Sequence, residues 1–312
     1  MFAEGHDFLR QLQYMSNATR GQPHLAPLQH KLLRCMRFVR ACVDDNLRDG
    51  GSSHAVVGCR KFLKALLEEY QTATGNRCPD AAHFAAERAA SIAADVVAVA
   101  GACSDSANEP VLRSVISALR ALEETKDFHA RLLVAQEDRS EYPQVAYAYG
   151  STPLTTWCCV LQLPAVATVL KTMDHHPEAC TVFGSSTGSL VFYTALLTGR
   201  PVRGVEILPC LVADAQAIAA ACAVPGVDLQ LGDMLDASLA HTRLLVLTSQ
   251  CWPAGLWADL VAKLRRHPGP LLVLDYTERL SLANGFRCVG RTAGDVSWHK
   301  SHAFYAFERH DD

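Results

Sequence analysis

The sequence predicts an α/β fold in which an all-helical N-terminal domain, residues 1–140, precedes a mostly parallel sheet over residues 141–312. Two observations predict it. From about Leu28 to Gln136 apolar residues recur at helical spacing between turn signals, and after Tyr142-Pro143 short β-rich runs alternate with helix-like segments. At about 150 residues per domain, a chain of 312 residues makes one large domain or two modest ones.

Leu32, Leu33, Met36, Phe38 and Val39 recur at helical spacing among Lys31, Arg34, Arg37 and Arg40, and Asp49-Gly50-Gly51-Ser52 ends that run. His54 to Tyr70 follows. Next comes Asp80 to Ala102, where alanine gives high helix propensity and Asp80, after Pro79, is placed to cap. A fourth helix is expected over Glu109 to Glu124, with Leu112, Val115, Ile116 and Leu119 on one face. This half shows no catalytic constellation. His83 and His129 stand alone and read as packed or solvated side chains. The half reads as a cap or docking domain, for a second copy of the chain or for another protein.

Strand-like runs then fall at Cys180 to Phe183, Val202 to Ile207, Val227 to Leu231, Leu244 to Thr248 and Leu271 to Asp275. Between them lie the helix-like Ser189 to Thr198, Leu211 to Cys222 and Gly255 to Arg266. Strands alternating with helices in this way imply right-handed crossovers and a parallel sheet. Phe286 to Arg291 and Ala303 to Arg309 have no good helix between them, so an antiparallel hairpin is expected to finish the sheet.

Apolar residues make up 49% of the chain and charged residues 20%, which excludes a mostly disordered protein. A net charge of −3 supplies no basic field for gripping nucleic acid by its phosphates. The 12 cysteines are scattered, most of them in apolar runs (Cys35, Cys42, Cys59, Cys180, Cys222), with no CxxC and a single adjacent pair, Cys158-Cys159. They read as reduced, buried thiols, and no metal site is expected. Met1 to Tyr14 mixes Glu4, His6, Asp7 and Arg10 with apolar residues, unlike a signal peptide, so the Asn17-Ala18-Thr19 sequon is read as idle. No apolar stretch approaches the roughly 20 residues that span a bilayer. The expectation is a soluble, cytoplasmic protein with no membrane partner, an organellar address being left open.

The informative segment is Thr181-Val182-Phe183-Gly184-Ser185-Ser186-Thr187-Gly188-Ser189-Leu190. A strand enters a small-residue turn that opens into a helix, bringing backbone N–H groups to the carboxyl end of the sheet. Two readings compete. In the first, Gly184 to Gly188 is a G-x-S-x-G nucleophile turn, with Ser186, Asp275 and His299 or His302 in the order of a serine hydrolase. The helical character of the preceding region argues against it, because an α/β-hydrolase places several strands before its nucleophile. In the second, the turn holds a nucleotide cofactor. The next strand then ends in Glu206, a carboxylate suited to ribose hydroxyls, and the third ends in Asp233, for an adenine amino group, and Met234, to pack on its ring.

Taken together these pieces resemble a known family. The loop is similar to the G-x-G-x-G loop of class I S-adenosylmethionine (SAM) methyltransferases, with Ser186 in place of the middle glycine. From about Val145 onward the chain resembles SAM-dependent methyltransferase-like proteins, distantly the Dot1-type lysine methyltransferases. The resemblance is carried by Tyr149-Gly150-Ser151-Thr152-Pro153, Phe183 to Tyr193, Gly204-Val205-Glu206-Ile207-Leu208-Pro209, Thr248-Ser249-Gln250-Cys251-Trp252, Asp275-Tyr276-Thr277 and Ser297-Trp298. It implies a Rossmann-like, seven-stranded methyltransferase sheet with SAM as cofactor. It also implies cofactor contacts at Tyr149, Thr152, Gly184, Ser185, Ser186, Thr187, Gly188, Glu206, Ile207, Asp233, Met234 and Ser249. Val182 stands where most members carry an acid, and Ser186 adds a side chain where backbone approaches the ligand. A catalytically degenerate scaffold on the same fold is therefore a further reading.

The fourth strand of such a fold faces the methyl group. Here it ends in Ser249, Gln250 and Trp252, the expected acceptor-side residues: Gln250 to accept from a substrate amine, Trp252 to wall a channel or stack on a cation. No Asn-Pro-Pro-Tyr or Asp-Pro-Pro-Tyr run is present, which counts against nucleobase amino groups. Cys251 reads as a packing group, Ser297-Trp298 as lining of the same pocket or a buried structural Trp, and His299 and His302 as candidate bases by their proximity to the last strand. The acceptor is unidentified, a protein lysine and a small molecule both being compatible.

Overall fold

The computed structural model describes residues 2–36, 53–79, 81–125, 128–176, 178–297 and 299–310. The Asp80 cap, the Asp49-to-Ser52 turn and Trp298 lie outside these residues, as do the side chains of His83 and His129. The chain forms two compact units, Met1–Ser91 with Lys126–Ala130 and Ile92–Thr125 with Arg131–Asp312.

The smaller unit is helical. It contains α1 (Phe2–Thr19), a helix over 26–36 (α2), α3 (Ser53–Thr74) and the first half of α4 (Ala81–Val99). Leu12, Met15, Leu32, Leu63, Leu66 and Tyr70 are buried there, and Tyr14 meets Tyr70 edge to face with ring centroids 6.5 Å apart. The sequence pattern did not anticipate α1. Its apolar positions are interrupted by Glu4, His6, Asp7 and Arg10, which weakens the periodic signal.

The larger unit is an α/β sandwich around a seven-stranded sheet. Its strands are β1 (Cys180–Phe183), β2 (Val202–Glu206), β3 (Val227–Leu231), β4 (Leu244–Leu247), β5 (Leu272–Asp275), β6 (Phe286–Val296) and β7 (His299–Arg309). They lie in the order β3-β2-β1-β4-β5-β7-β6. The first five are parallel, and β7 enters antiparallel between β5 and β6. This is the seven-stranded Rossmann-like sheet that the resemblance implies, finished by the hairpin that the strand pattern predicts, and the expected strands fall within a residue of the observed ones except in the hairpin. There both strands run to 11 residues, past the expected ends, and their pairing carries register shifts at Cys288/Gly290 and Gly294/Val296.

Alternation of side chains assigns each strand to two cores. In β4, Leu244 and Val246 face one core, while Leu245 and Leu247 face the other. Both faces being covered, Leu-Leu-Val-Leu reads as a continuous apolar run. On one side lies α9 (Ser189–Thr198), buried from Leu190 to Leu197 beneath α5 (Asn108–Glu124) and α7 (Leu154–Leu161). The α5 stripe of Leu112, Val115, Ile116 and Leu119 joins that core, each side chain contributing about 1.5–3 kcal/mol by its burial. Trp157 of α7 is buried with its indole N–H donating to Thr194 Oγ1 at 2.9 Å, so its polar edge is satisfied. Pro153 cannot cap α7 with a side chain; Asp95 Oδ1, from the end of α4, accepts the Thr155 N–H at 3.1 Å instead.

On the opposite side α11 (Ala254–Arg265) buries Leu256, Trp257, Leu260 and Leu264 against Phe183, Leu247, Val273 and Phe307. The remaining helices are α6 (Phe128–Glu137), α8 (Pro164–Thr172) and α10 (Pro209–Ala221). Among the described residues no single helix is long and apolar enough to cross a membrane.

Candidate functional site

Strand β1 has β2 on one side and β4 on the other. The chain therefore runs outward through β2 and β3, then returns to the far side of β1 at β4. Carboxyl-end loops diverge at such a switch point, and that is where open α/β sheets bind ligands. The Gly184–Gly188 loop stands there, with the tips of β2, β3, β4 and β5 around it.

Gly184 and Gly188 are in the left-handed region, at φ +69° and +83°. A Cβ on Gly184 would collide with Thr248 Oγ1 and stand 3.7 Å from Trp252 Cζ2; one on Gly188 would stand 2.7 Å from Phe192 Cζ. The Gly184 and Ser185 N–H groups both donate to Val205 O, at 2.9 and 3.1 Å, which folds the loop onto β2. In α9 the bond from Phe192 N–H to Gly188 O is 2.9 Å. The N–H groups of Ser189, Leu190 and Val191 precede it and form the positive end of the helix. Ser186 is itself left-handed, at φ +55°, and its buried hydroxyl has no hydrogen-bond partner.

Glu206 is buried at the β2 tip. Its Oε2 accepts the Ser186 N–H, and its Oε1 accepts those of Ile207 and Leu208, all at 2.9 Å. Burial raises its pKa, opposed by these three N–H groups and by the charge of Arg139. A carboxylate offers about four lone-pair positions, so one on Oε2 stays open. Arg139 also donates to the Ile207 carbonyl and pairs with Glu141 at 2.9 Å. At the β3 tip, Asp233 Oδ2 accepts the Tyr142 hydroxyl at 2.7 Å and Oδ1 accepts the Leu235 N–H at 2.8 Å. Met234 packs in the cluster that holds Val205 and Trp252.

At the β4 tip Ser249 is fully buried and donates to Asp275 Oδ1 at 2.6 Å, 3.1 Å from Thr277 Oγ1. Asp275 also accepts the Thr277 hydroxyl at 2.8 Å and the Tyr276 N–H at 2.7 Å. Burial raises its pKa to about 6 against the pull of those donors. Thr152 Oγ1 lies 2.5 Å from the Tyr276 hydroxyl, extending the network. Gln250 is exposed, and Trp252 is buried beside Gly184. Tyr149 donates to Glu123 Oε1 at 2.6 Å and is hydrogen-bonded by the Thr187 side chain.

The hydrolase reading is corrected by this geometry. Ser186 Oγ has no base beside it, Asp275 is engaged by Ser249 and Thr277, and His302 Nε2 is 3.0 Å from the Tyr276 carbonyl. Burial lowers the His302 pKa. No Ser-Asp-His relay is assembled.

Of the expected cofactor residues, the structure joins Ser186 to Glu206 and Thr187 to Tyr149, and sets Gly184 against Trp252. Ser249 and Thr152 face inward onto the Asp275–Tyr276 pair. Sequence reading missed Tyr142, Glu123 and Arg139. Glu123 lies on a helix without any catalytic pattern and Arg139 in a plain polar stretch; for Tyr142 the one available signal was its place before Pro143, where the helical half ends.

No protein-family model matches the chain, and no curated protein matches it. Solved structures are similar in part. A mutant of MtNAS in complex with SAM is 14% identical, with a TM-score of 0.38, over 71% of this chain and 97% of that one. Magnesium protoporphyrin IX methyltransferase from Synechocystis PCC 6803, with bound SAM, is 16% identical, with a TM-score of 0.37, over 46% and 76%. An RNA methyltransferase from Salinibacter ruber, in complex with S-adenosylhomocysteine, is 21% identical, with a TM-score of 0.32, over 48% and 92%.

Proposed function

We propose that the protein binds SAM at the tips of β1, β2 and β3 and transfers its methyl group to an acceptor at the tip of β4. The supporting observation is the Gly184–Gly188 loop: two left-handed glycines and a free helix N-terminus at the switch point, closed by a buried carboxylate from β2. The residues present fit that cofactor. Gly184 and Gly188 keep side chains out of the cradle, and the partnerless Ser186 hydroxyl can donate to a methionyl carboxylate. Glu206 Oε2 keeps a position for one ribose hydroxyl, and Asp233 keeps lone pairs for an amino group.

Bound there, the sulfonium supplies a methyl group that is already activated. Alignment of the nucleophile and removal of its proton are what remain for the protein. Exposed Gln250 offers a carbonyl oxygen to an amine acceptor, and Trp252 walls the approach. A protein lysine and a small molecule remain the acceptor classes, to be separated by assaying both.

A non-catalytic scaffold is the second reading. It is favoured by the engagement of Glu206 and Asp233 with donors of the chain itself. A thermal shift with S-adenosylhomocysteine separates the two: the first expects a rise in melting temperature, the second none at saturating ligand. Glu206→Ala should then cost about 1.5–3 kcal/mol of cofactor affinity, the worth of a charge-assisted contact.

A further inference from the structure

The segment between α6 and the sheet reaches the β3 tip, and its chemistry there is specific. Tyr142 donates to Asp233 Oδ2 at 2.7 Å while the Leu235 N–H donates to Oδ1 at 2.8 Å. Two donors on different oxygens fix both the rotamer and the plane of the carboxylate. Each oxygen has a further lone pair, so the fixed group is an acceptor aimed from a known direction. The segment is itself held. The Tyr147 hydroxyl accepts the Tyr142 N–H at 3.1 Å, Gln136 Nε2 donates to the Tyr147 carbonyl at 2.6 Å, and Arg139 ties it to the Ile207 carbonyl. The Tyr142 ring packs against the cluster containing Val205, Met234 and Trp252, beside the tips of β2, β3 and β4.

We propose that Tyr142 is a positioning residue for base recognition: it orients Asp233 to accept from an exocyclic amino group, so the site selects a 6-amino purine over a 6-oxo one. The inference rests on the cofactor reading above. A 6-oxo base would set its carbonyl oxygen against the carboxylate, two acceptors facing each other, and the amino group would set a donor there. Tyr142 acts through Asp233 and adds no hydrogen bond of its own to the base.

The test is titration calorimetry of the full chain with S-adenosylhomocysteine and with its 6-oxo analogue, S-inosylhomocysteine. Wild type should prefer the amino compound at least tenfold. Tyr142→Phe, which removes one oxygen, should weaken it about tenfold and leave the 6-oxo affinity unchanged. Asp233→Asn should abolish the preference, and adding Tyr142→Phe to it should change nothing further, because the hydroxyl then has no carboxylate to orient. If the Tyr142 variant folds poorly, the wild-type preference and its loss in Asp233→Asn are still measured, and a preference that survives Asp233→Asn overturns the proposal. Preference retained in Tyr142→Phe, tighter binding by it, or full additivity in the double variant overturns the proposal. Wild type that binds neither compound overturns the cofactor reading beneath it, a result distinguishable from the others.

Discussion

The Tyr149 hydroxyl is 2.6 Å from Glu123 Oε1, and through it a helix of the first half of the sequence reaches the loop that follows β1. Arg120 stands between Glu123 and the buried Asp95, 3.4 Å from each, and the Thr187 side chain bonds to Tyr149 from the loop. Burial and the neighbouring Glu123 anion raise the Tyr149 pKa, so the hydroxyl stays a donor across the working range. Tyr149→Phe should therefore leave Glu123 short of a donor and Thr187 short of an acceptor. The expected cost is about 1–3 kcal/mol of stability. Calorimetric unfolding of the two proteins checks it; superimposable transitions would contradict the assignment.

Ser186→Gly should stabilise the protein. A non-glycine residue at φ +55° carries a left-handed strain of about 1–2 kcal/mol, and the partnerless buried hydroxyl adds to it. The extra freedom of glycine in the unfolded chain offsets up to about 1 kcal/mol. A net rise of about 2–4 °C in melting temperature is expected for a unit of this size. A lower melting temperature would mean that the hydroxyl has a role this geometry does not give it.

Gly184→Ala should do the opposite. The added methyl meets Thr248 Oγ1 and Trp252 at a φ of +69°, so strain and collision combine. A loss of at least 2 kcal/mol, about the cost of a left-handed alanine with overpacking, is expected in urea titration. A midpoint matching wild type would show that the loop is looser than described.

Asp275 makes stability depend on pH. Its folded pKa of about 6 lies above the ordinary aspartate value of 3.8, so the folded state holds the proton more tightly. The stability it contributes is full below pH 4 and is lost as pH rises through 6, a span worth about 3 kcal/mol. Melting temperatures from pH 4 to 7 should fall more steeply in wild type than in Asp275→Asn. Parallel slopes would remove Asp275 as the cause.

Much of the sheet was legible because its strands obey period and length: Cys180–Phe183 and Val227–Leu231 stand where the pattern places them. The α9 boundaries were legible for another reason, the glycines that punctuate both ends. Helices α7 and α8 were not. Leu154–Leu161 and Pro164–Thr172 are only 8 and 9 residues long, too short for a helical repeat to stand out from the sequence around them. The candidate site was legible as a set of strand ends. The engagement of its carboxylates was not, since Tyr142 with Asp233 and Glu123 with Tyr149 are pairs that only the folded chain brings together.

The bulged hairpin has a consequence for the molecule in a crowded solution. β6 is an outer strand of the sheet, and an unbroken outer strand of 11 residues would present a long row of unpaired amides to any passing chain. The irregularities at Cys288/Gly290 and Gly294/Val296 bend and twist that rim twice along its length. A neighbour's extended segment can follow it for only a few residues before losing step, which disfavours pairing along β6.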